Sequence, residues 1–210
     1  MRLPRSFFAR PCLEVAPEVL GLLLVHELPG GERLVGRIVE VEAYLGDGTD
    51  AASHAHRGPT RRNRPMFGAP GHFYVYRSMG IHRCVNVVCE PAGSAAAVLL
   101  RAAEPLEGEA RMRALRGGRS DRELANGPGK LCEALDIHLS DDGADALRGP
   151  LRLERERDAR PRDVRVGPRV GITKSPGLPY RFFVAGSPHV TRVAHNARSR
   201  PFGAREHAGG

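Results

Sequence analysis

The chain has 210 residues, 41% of them hydrophobic, enough for one domain with a substantial core. No run approaches the ~18 consecutive apolar residues that a membrane span needs, and the formal net charge is +8, with Lys130 and Lys174 the only lysines. Cys12, Cys84, Cys89 and Cys132 form no CxxC pair, so buried free thiols are expected rather than structural zinc, an iron–sulfur cluster or a disulfide framework. Guanidinium groups suit bidentate contact with phosphate and favour a nucleic-acid partner, although an arginine-heavy proteome would explain this composition equally well. The N-terminus lacks a signal-peptide pattern, so a cytoplasmic protein is expected.

In chain order, Pro17 is expected to open a short helix ending near Gly21, followed by a strand at Leu22–Leu28. Pro29-Gly30-Gly31 reads as the turn of a hairpin into a second strand, Leu34–Leu45. Alternation along that strand predicts one face of Val35, Val39, Val41, Ala43 and Leu45 and another of Ile38, Glu40, Glu42 and Tyr44. Two carboxylates beside an aromatic, on a strand otherwise rich in β-branched residues, suit proton transfer next to a stacking surface. Gly46–Pro65 is a long polar loop, and loops of this length inside a compact domain tend to be functional.

Strand patterns return at Phe73–Arg77, Arg83–Cys89 and Ala96–Arg101. On the first of these, His72, Tyr74 and Tyr76 share a face. Helices are expected over Glu107–Leu115 and Gly129–Ile137, then short strands near Leu151–Leu153, Arg165–Gly171 and Arg181–Val184. Strands, then helices, then strands without βαβ alternation predict an α+β fold: a single compact domain with a largely antiparallel, curved sheet flanked by helices. The domain is expected over residues 1–194, and residues 195–210 as a basic, disordered tail.

The segment Val39–Gly46, Val-Glu-Val-Glu-Ala-Tyr-Leu-Gly, resembles the signature of the alkyladenine, or 3-methyladenine, DNA glycosylases. Matching stretches follow in order: Ala52-Ser-His-Ala, Arg62-Asn-Arg-Pro-Met-Phe, Gly71–Tyr76, Cys84-Val-Asn, Val98–Gly108, Asp121-Arg-Glu-Leu, Gly127–Cys132 and Arg181–Val190. The resemblance covers about residues 11–191 and implies an enzyme that flips damaged purines out of double-stranded DNA and hydrolyses the glycosidic bond. It implies a base pocket of Tyr44, His54 and Tyr76, with Asn86 excluding undamaged guanine. Glu42 would be the base that activates water, Arg101 would help to hold that water, and the Val170 carbonyl would complete its site. It further implies no cofactor, no metal, a monomer, and an intact abasic product.

The residue expected to wedge into the duplex is commonly a tyrosine in that family; Met79 stands there, with His82 and Arg83 replacing more aromatic residues. DNA contacts are expected from Arg62, Arg64 and Lys130 among a wider set of arginines, the last at the start of a helix. Glu40 reads as structural, paired with an arginine, with a second catalytic carboxylate as the alternative. Three other readings stand beside the glycosylase. One is a metal-dependent hydrolase using His54, His56, Asp50 and Glu42. Another is a non-catalytic binder of damaged DNA, and the last a Schiff-base enzyme using Lys130 or Lys174.

Overall fold

The protein is described by a computed structural model that covers residues 1–156 and 163–203, with the backbone alone at His195. The first helix, α1 (Cys12–Val19), starts before the expected position and carries Pro17 in its interior. Its buried Cys12, Val15, Ala16 and Val19 recur at helical spacing and form the stripe that docks on the sheet. That stripe decides the helix start; Pro17 costs a short helix only one backbone bond.

Strands β1 (Leu23–Glu27) and β2 (Arg33–Tyr44) form the expected hairpin, with Val25 opposite Val35. After the loop come β3 (Phe73–Ser78), β4 (His82–Cys89) and β5 (Ala96–Glu107), the last six residues longer than expected. Helices α2 (Glu109–Leu115), α3 (Asp121–Leu124) and α4 (Pro128–Ala134) follow. The sequence did not suggest α3, which at four residues is too short to show a period. At Gly108, where β5 turns into α2, φ is +79° and a Cβ would lie 2.4 Å from the Arg33 carbonyl oxygen, so only glycine fits. Strands β6 (Leu151–Glu154), β7 (Val164–Gly167), β8 (Arg181–Val184) and β9 (Arg200–Pro201) complete the elements.

All pairings are antiparallel, in the order β3-β4-β5-β2-β8-β7-β9, with β1 beside β2 and β6 beside β1. The fold is therefore α+β with a large antiparallel sheet, as the element pattern predicts. Side chains of all four helices join Leu34, Ile38, Val41, Ala43, Phe73, Val85, Val98 and Leu100 in the main core on one sheet face. Tyr74 and Tyr76 point the other way and pack with Ala55, Met66, Val88 and Ala97 under the long loop. Among the described residues no helix is long and apolar enough to cross a membrane. All four cysteines are buried and free.

The predicted alternation of β2 fails at one point, and the failure positions the site. Ile38 pairs with Ala103, Glu40 with Ala102, and Val41 with Leu100, so Val39 on β2 and Arg101 on β5 are each left without a ladder partner. These paired bulges switch the parity of both strands. Ile38 joins Val41 and Ala43 in the main core, whereas Val39 joins Ala102, Phe183 and Val190 on the face of the carboxylates.

Two C-terminal expectations also change. Strand β7 ends at Gly167, so Val170 lies in the turn beyond it. Residues 194–198 form a 3-10 turn and β9 pairs with β7, while Asn196 accepts a hydrogen bond from buried Arg181 at 2.7 Å. The Arg165 guanidinium reaches Ser199 as well. The chain thus stays on the sheet past residue 194; residues 204–210 of the expected tail lie outside the described residues.

Candidate active site

One row of residues crosses the sheet through the site: Tyr74 on β3 faces Asn86 on β4, Asn86 faces Leu99 on β5, Leu99 faces Glu42 on β2, and Glu42 faces Arg181 on β8. Antiparallel pairing thereby brings residues distant in sequence to one face. Above that row, Tyr44, Ala52, His54, Met66, Tyr74, Tyr76, Asn86 and Ile172 line a cavity of about 120 Å³.

Glu42 is fully buried and faces three donors with its two oxygens. Its Oε1 accepts the Val170 amide N–H at 2.7 Å, and its Oε2 accepts the Tyr44 hydroxyl at 2.8 Å. Arg101 Nη1 stands 3.2 Å from Oε2. Val170 therefore contributes its amide to Glu42, a group distinct from the carbonyl that the resemblance implies for the water site. Burial, followed by the Glu42 charge, holds the Tyr44 hydroxyl well above the usual phenol range, so Tyr44 remains a proton donor to this carboxylate.

Arg101 is 5% exposed, held beneath the carboxylates rather than at an open surface. Its Nε donates to Glu40 Oε1 at 2.8 Å, and Arg181 Nε donates to the same oxygen at 2.7 Å. Glu40 Oε2 accepts the Thr191 amide at 2.7 Å. Burial pushes the Glu40 carboxyl up, but Arg101, Arg181 and the Thr191 amide outweigh it and leave its pKa lowered. Glu40 is thus an arginine-paired carboxylate that bonds to no cavity-lining residue, whereas Glu42 accepts from Tyr44 of the lining. Arg101 bridges the two carboxylates because its bulge turns it out of the ladder register.

The aromatic wall is layered. Tyr74 and Tyr76 stack with centroids 5.3 Å apart, and His54 meets Tyr76 edge-on at 4.5 Å. His54 Nδ1 is 3.0 Å from the Tyr74 hydroxyl. His54 is partly open at the cavity mouth, but its inner side is desolvated and Arg62 lies near, so its pKa is lowered and the imidazole is neutral at pH 7. Burial, partly offset by Arg62, pushes the Tyr74 hydroxyl up to about 12. Asn86 Nδ2 donates to the Tyr74 carbonyl at 3.0 Å, which fixes the amide at the cavity wall.

Of the expected DNA-contact residues, Arg62 lies against a ring of the cavity lining and the others stand elsewhere on the fold. Met79 is 83% exposed at the tip of the β3–β4 hairpin, with φ +48° followed by Gly80 at +72°. Arg62 lies with its guanidinium carbon 5.3 Å from the Tyr76 ring centroid and donates to the Arg77 carbonyl at 2.7 Å. Arg64 opens the 3-10 turn Arg64–Phe67 and lines a separate cavity of about 370 Å³ with Arg61, His72 and Asp142. Lys130 donates to Asn126 Oδ1 at 2.8 Å in the seven-residue α4. The start of α4 abuts the β3–β4 hairpin, since a Cβ on Gly129 would lie 3.0 Å from the His82 Cβ.

Two residues absent from the expected active set emerge as buried parts of the site. Asp50 and Arg169 form a bidentate ion pair with both distances at 2.6 Å and both side chains fully buried. Asp50, weighed above as a metal ligand, thus spends both oxygens on Arg169. Among the described residues no three His, Cys, Asp or Glu side chains converge into a metal-binding cluster. No periodicity in the sequence marks Arg169; only the Gly-Pro-Arg-Val-Gly setting of a turn could have drawn attention to it.

A sequence profile described as methylpurine-DNA glycosylase (MPG) matches residues 6–188. The chain is 48% identical over 191 residues to a provisionally named 3-methyladenine DNA glycosylase of Chlorobium phaeovibrioides, covering 91% of this chain and 97% of that one. A protein of the same provisional name from Rhodopseudomonas palustris (strain ATCC BAA-98 / CGA009) is 50% identical over 190 residues, 90% of this chain and 88% of the relative. Another, from Streptomyces avermitilis, is 48% identical over 205 residues, 94% and 95% of the two chains.

Proposed function

This chain belongs to the methylpurine-DNA glycosylase family, and from that membership we propose that it acts as a monomer that flips alkylated purines out of duplex DNA and hydrolyses the N-glycosidic bond. Flipping costs a few kcal/mol of unstacking, least where the base is already damaged. In the cavity, Tyr44 and Tyr76 would flank the base, and a cationic N3- or N7-alkylated purine gains ~0.5–2 kcal/mol over such rings. Asn86 at the wall would collide with the exocyclic amine of guanine. Deaminated purines, which carry no such charge, are secondary substrates in this reading.

Glu42 supplies the base. Each carboxylate oxygen offers two lone pairs, and Oε1 gives one of them to the Val170 amide. The other takes a proton from water as the water oxygen bonds to the anomeric carbon. The glycosidic electron pair leaves with the purine, neutralising the charge of an alkylated base. The Glu42 anion also stabilises the oxocarbenium-like transition state. Tyr44 and Arg101 orient Glu42 through contacts of 2.8 and 3.2 Å to Oε2. With no lysine in the cavity lining, the abasic strand would be left intact.

The observation that carries this reading is a buried carboxylate with fixed donors beside a cavity walled by tyrosines. The test is release of free purine from methylated duplex DNA in EDTA by wild type and Glu42→Gln, with the product strand checked for nicks. Release by wild type, falling about 10²–10⁴-fold in the variant with no strand cleavage, is expected. Equal release by both refutes Glu42 as base. No release by either, with DNA still bound, leaves a damage-binding protein.

A further inference from the structure

The Asp50–Arg169 pair sits outside the cavity lining yet contacts two of its lining residues, Tyr44 and Ala52. Arg169 Nη1 donates to the Ala43 carbonyl at 2.9 Å, at the end of β2. Its guanidinium carbon lies 4.5 Å from the Tyr44 ring centroid and 5.4 Å from that of Tyr180. Asp50 accepts the Leu45 amide at 3.2 Å and the Ala52 amide at 3.1 Å, so the same carboxylate sets where the loop to His54 begins. The residue after Arg169 is Val170, whose amide donates to Glu42. Chain crowding adds to this: a Cβ on Gly46 would lie 1.7 Å from the Ser94 carbonyl oxygen, so the β2 exit has one path.

We propose that the buried Asp50–Arg169 ion pair is the positioning unit of the site, holding the Tyr44 ring and the Val170 amide where Glu42 needs them. This rests on the glycosylase reading above. The guanidinium is rigid and planar, so one side chain can bond Asp50 through two nitrogens, bond Ala43, and stack on two rings at once. A lysine could supply the charge but not the plane. The pair contacts neither the base nor the reacting water; it acts through Tyr44 and Val170.

A purely structural pair and a positioning pair differ in measurable ways. A structural role lowers the fraction of folded enzyme, whereas a positioning role lowers the rate of each folded molecule and leaves duplex affinity intact. Glu42 is held by Arg101 from β5, by Tyr44 from its own strand and by the Val170 amide of the Arg169–Val170 turn. Loosening the Val170 bond frees the carboxylate to turn from the reacting water, so excision slows while DNA binding holds.

The experiment is single-turnover excision of a methylated purine from duplex DNA by active-site-titrated Asp50→Asn and Arg169→Lys, with duplex affinity measured in parallel. The expected result for Asp50→Asn is a rate about 10–100-fold lower, since misplacement of about 1 Å can cost ~100-fold. Its DNA affinity is unchanged, and Arg169→Lys lies between it and wild type. A wild-type rate per titrated molecule overturns the proposal. If both variants fail to fold, Tyr180→Leu decides, because it removes one ring from Arg169 and leaves the ion pair. A rate loss of about 2–5-fold at unchanged DNA affinity supports the proposal, from the size of one cation–π contact, and an unchanged rate overturns it. Glu42→Gln run alongside separates the two ideas, because full activity there refutes the base assignment itself.

Discussion

Replacing Glu40 by Gln tests whether the second carboxylate of β2 does chemistry or holds the sheet together. Glu40 is fully buried and accepts from Arg101, Arg181 and the Thr191 amide at 2.7–2.8 Å. The amide of Gln keeps the volume but leaves Arg181 facing no carboxylate and Arg101 facing only Glu42. Removing one partner from a buried pair costs about 3–5 kcal/mol. For a chain of this size each kcal/mol moves the midpoint by about 2–4 °C, so a fall of about 6–20 °C is expected. Excision per folded molecule at a permissive temperature should drop less than about tenfold, because Glu40 bonds to no cavity-lining residue, whereas Glu42 bonds to Tyr44.

Linkage adds a second signature for the same variant. The folded pKa of Glu40 lies below its ordinary value of 4.5, so its stabilisation is present above that value and lost as pH falls through the folded pKa. The stability gap between wild type and Glu40→Gln should therefore be full at neutral pH and close below about pH 4.5. Urea unfolding from pH 3 to 8 measures it. An unchanged midpoint together with a loss of excision above about 10³-fold would refute the reasoning and make Glu40 a catalytic partner.

Two further outcomes are expected. Met79→Gly relieves a side chain held at φ +48° and should stabilise the free protein by up to about 1 kcal/mol, while excision from duplex falls and excision from single strands does not. Equal loss on both substrates would remove Met79 from any role in opening the duplex. Arg64→Ala and Lys130→Ala should each make the log affinity against log salt plot shallower by about 0.9. An unchanged slope would make the residue a surface charge with no phosphate partner.

How much of this was legible beforehand varies by element. The β1–β2 hairpin was, because its glycine turn and flanking apolar runs are local features. Tyr74 and Tyr76 were assigned to one face correctly because β3 is regular. Alternation misassigned Ile38 and Val39, since a bulge inserts a residue without a local mark when both strands are rich in small and branched side chains. Helix α1 was misplaced because a proline was read as a start signal, whereas burial of Cys12 and Val15 against the sheet set the boundary.

Composition and motif order were enough to determine the α+β class, the family, and which strand carries Glu42 and Tyr44, because these depend on patterns within a few residues or on collinear resemblance. Only the tertiary structure decided that Arg101 bridges two carboxylates, that Val170 offers Glu42 its amide, and that Asp50 and Arg169 lock together under Tyr44. Each of these joins segments 59 to 128 residues apart. The energy of a buried charge depends on what surrounds it in space, so no local pattern along the chain encodes it.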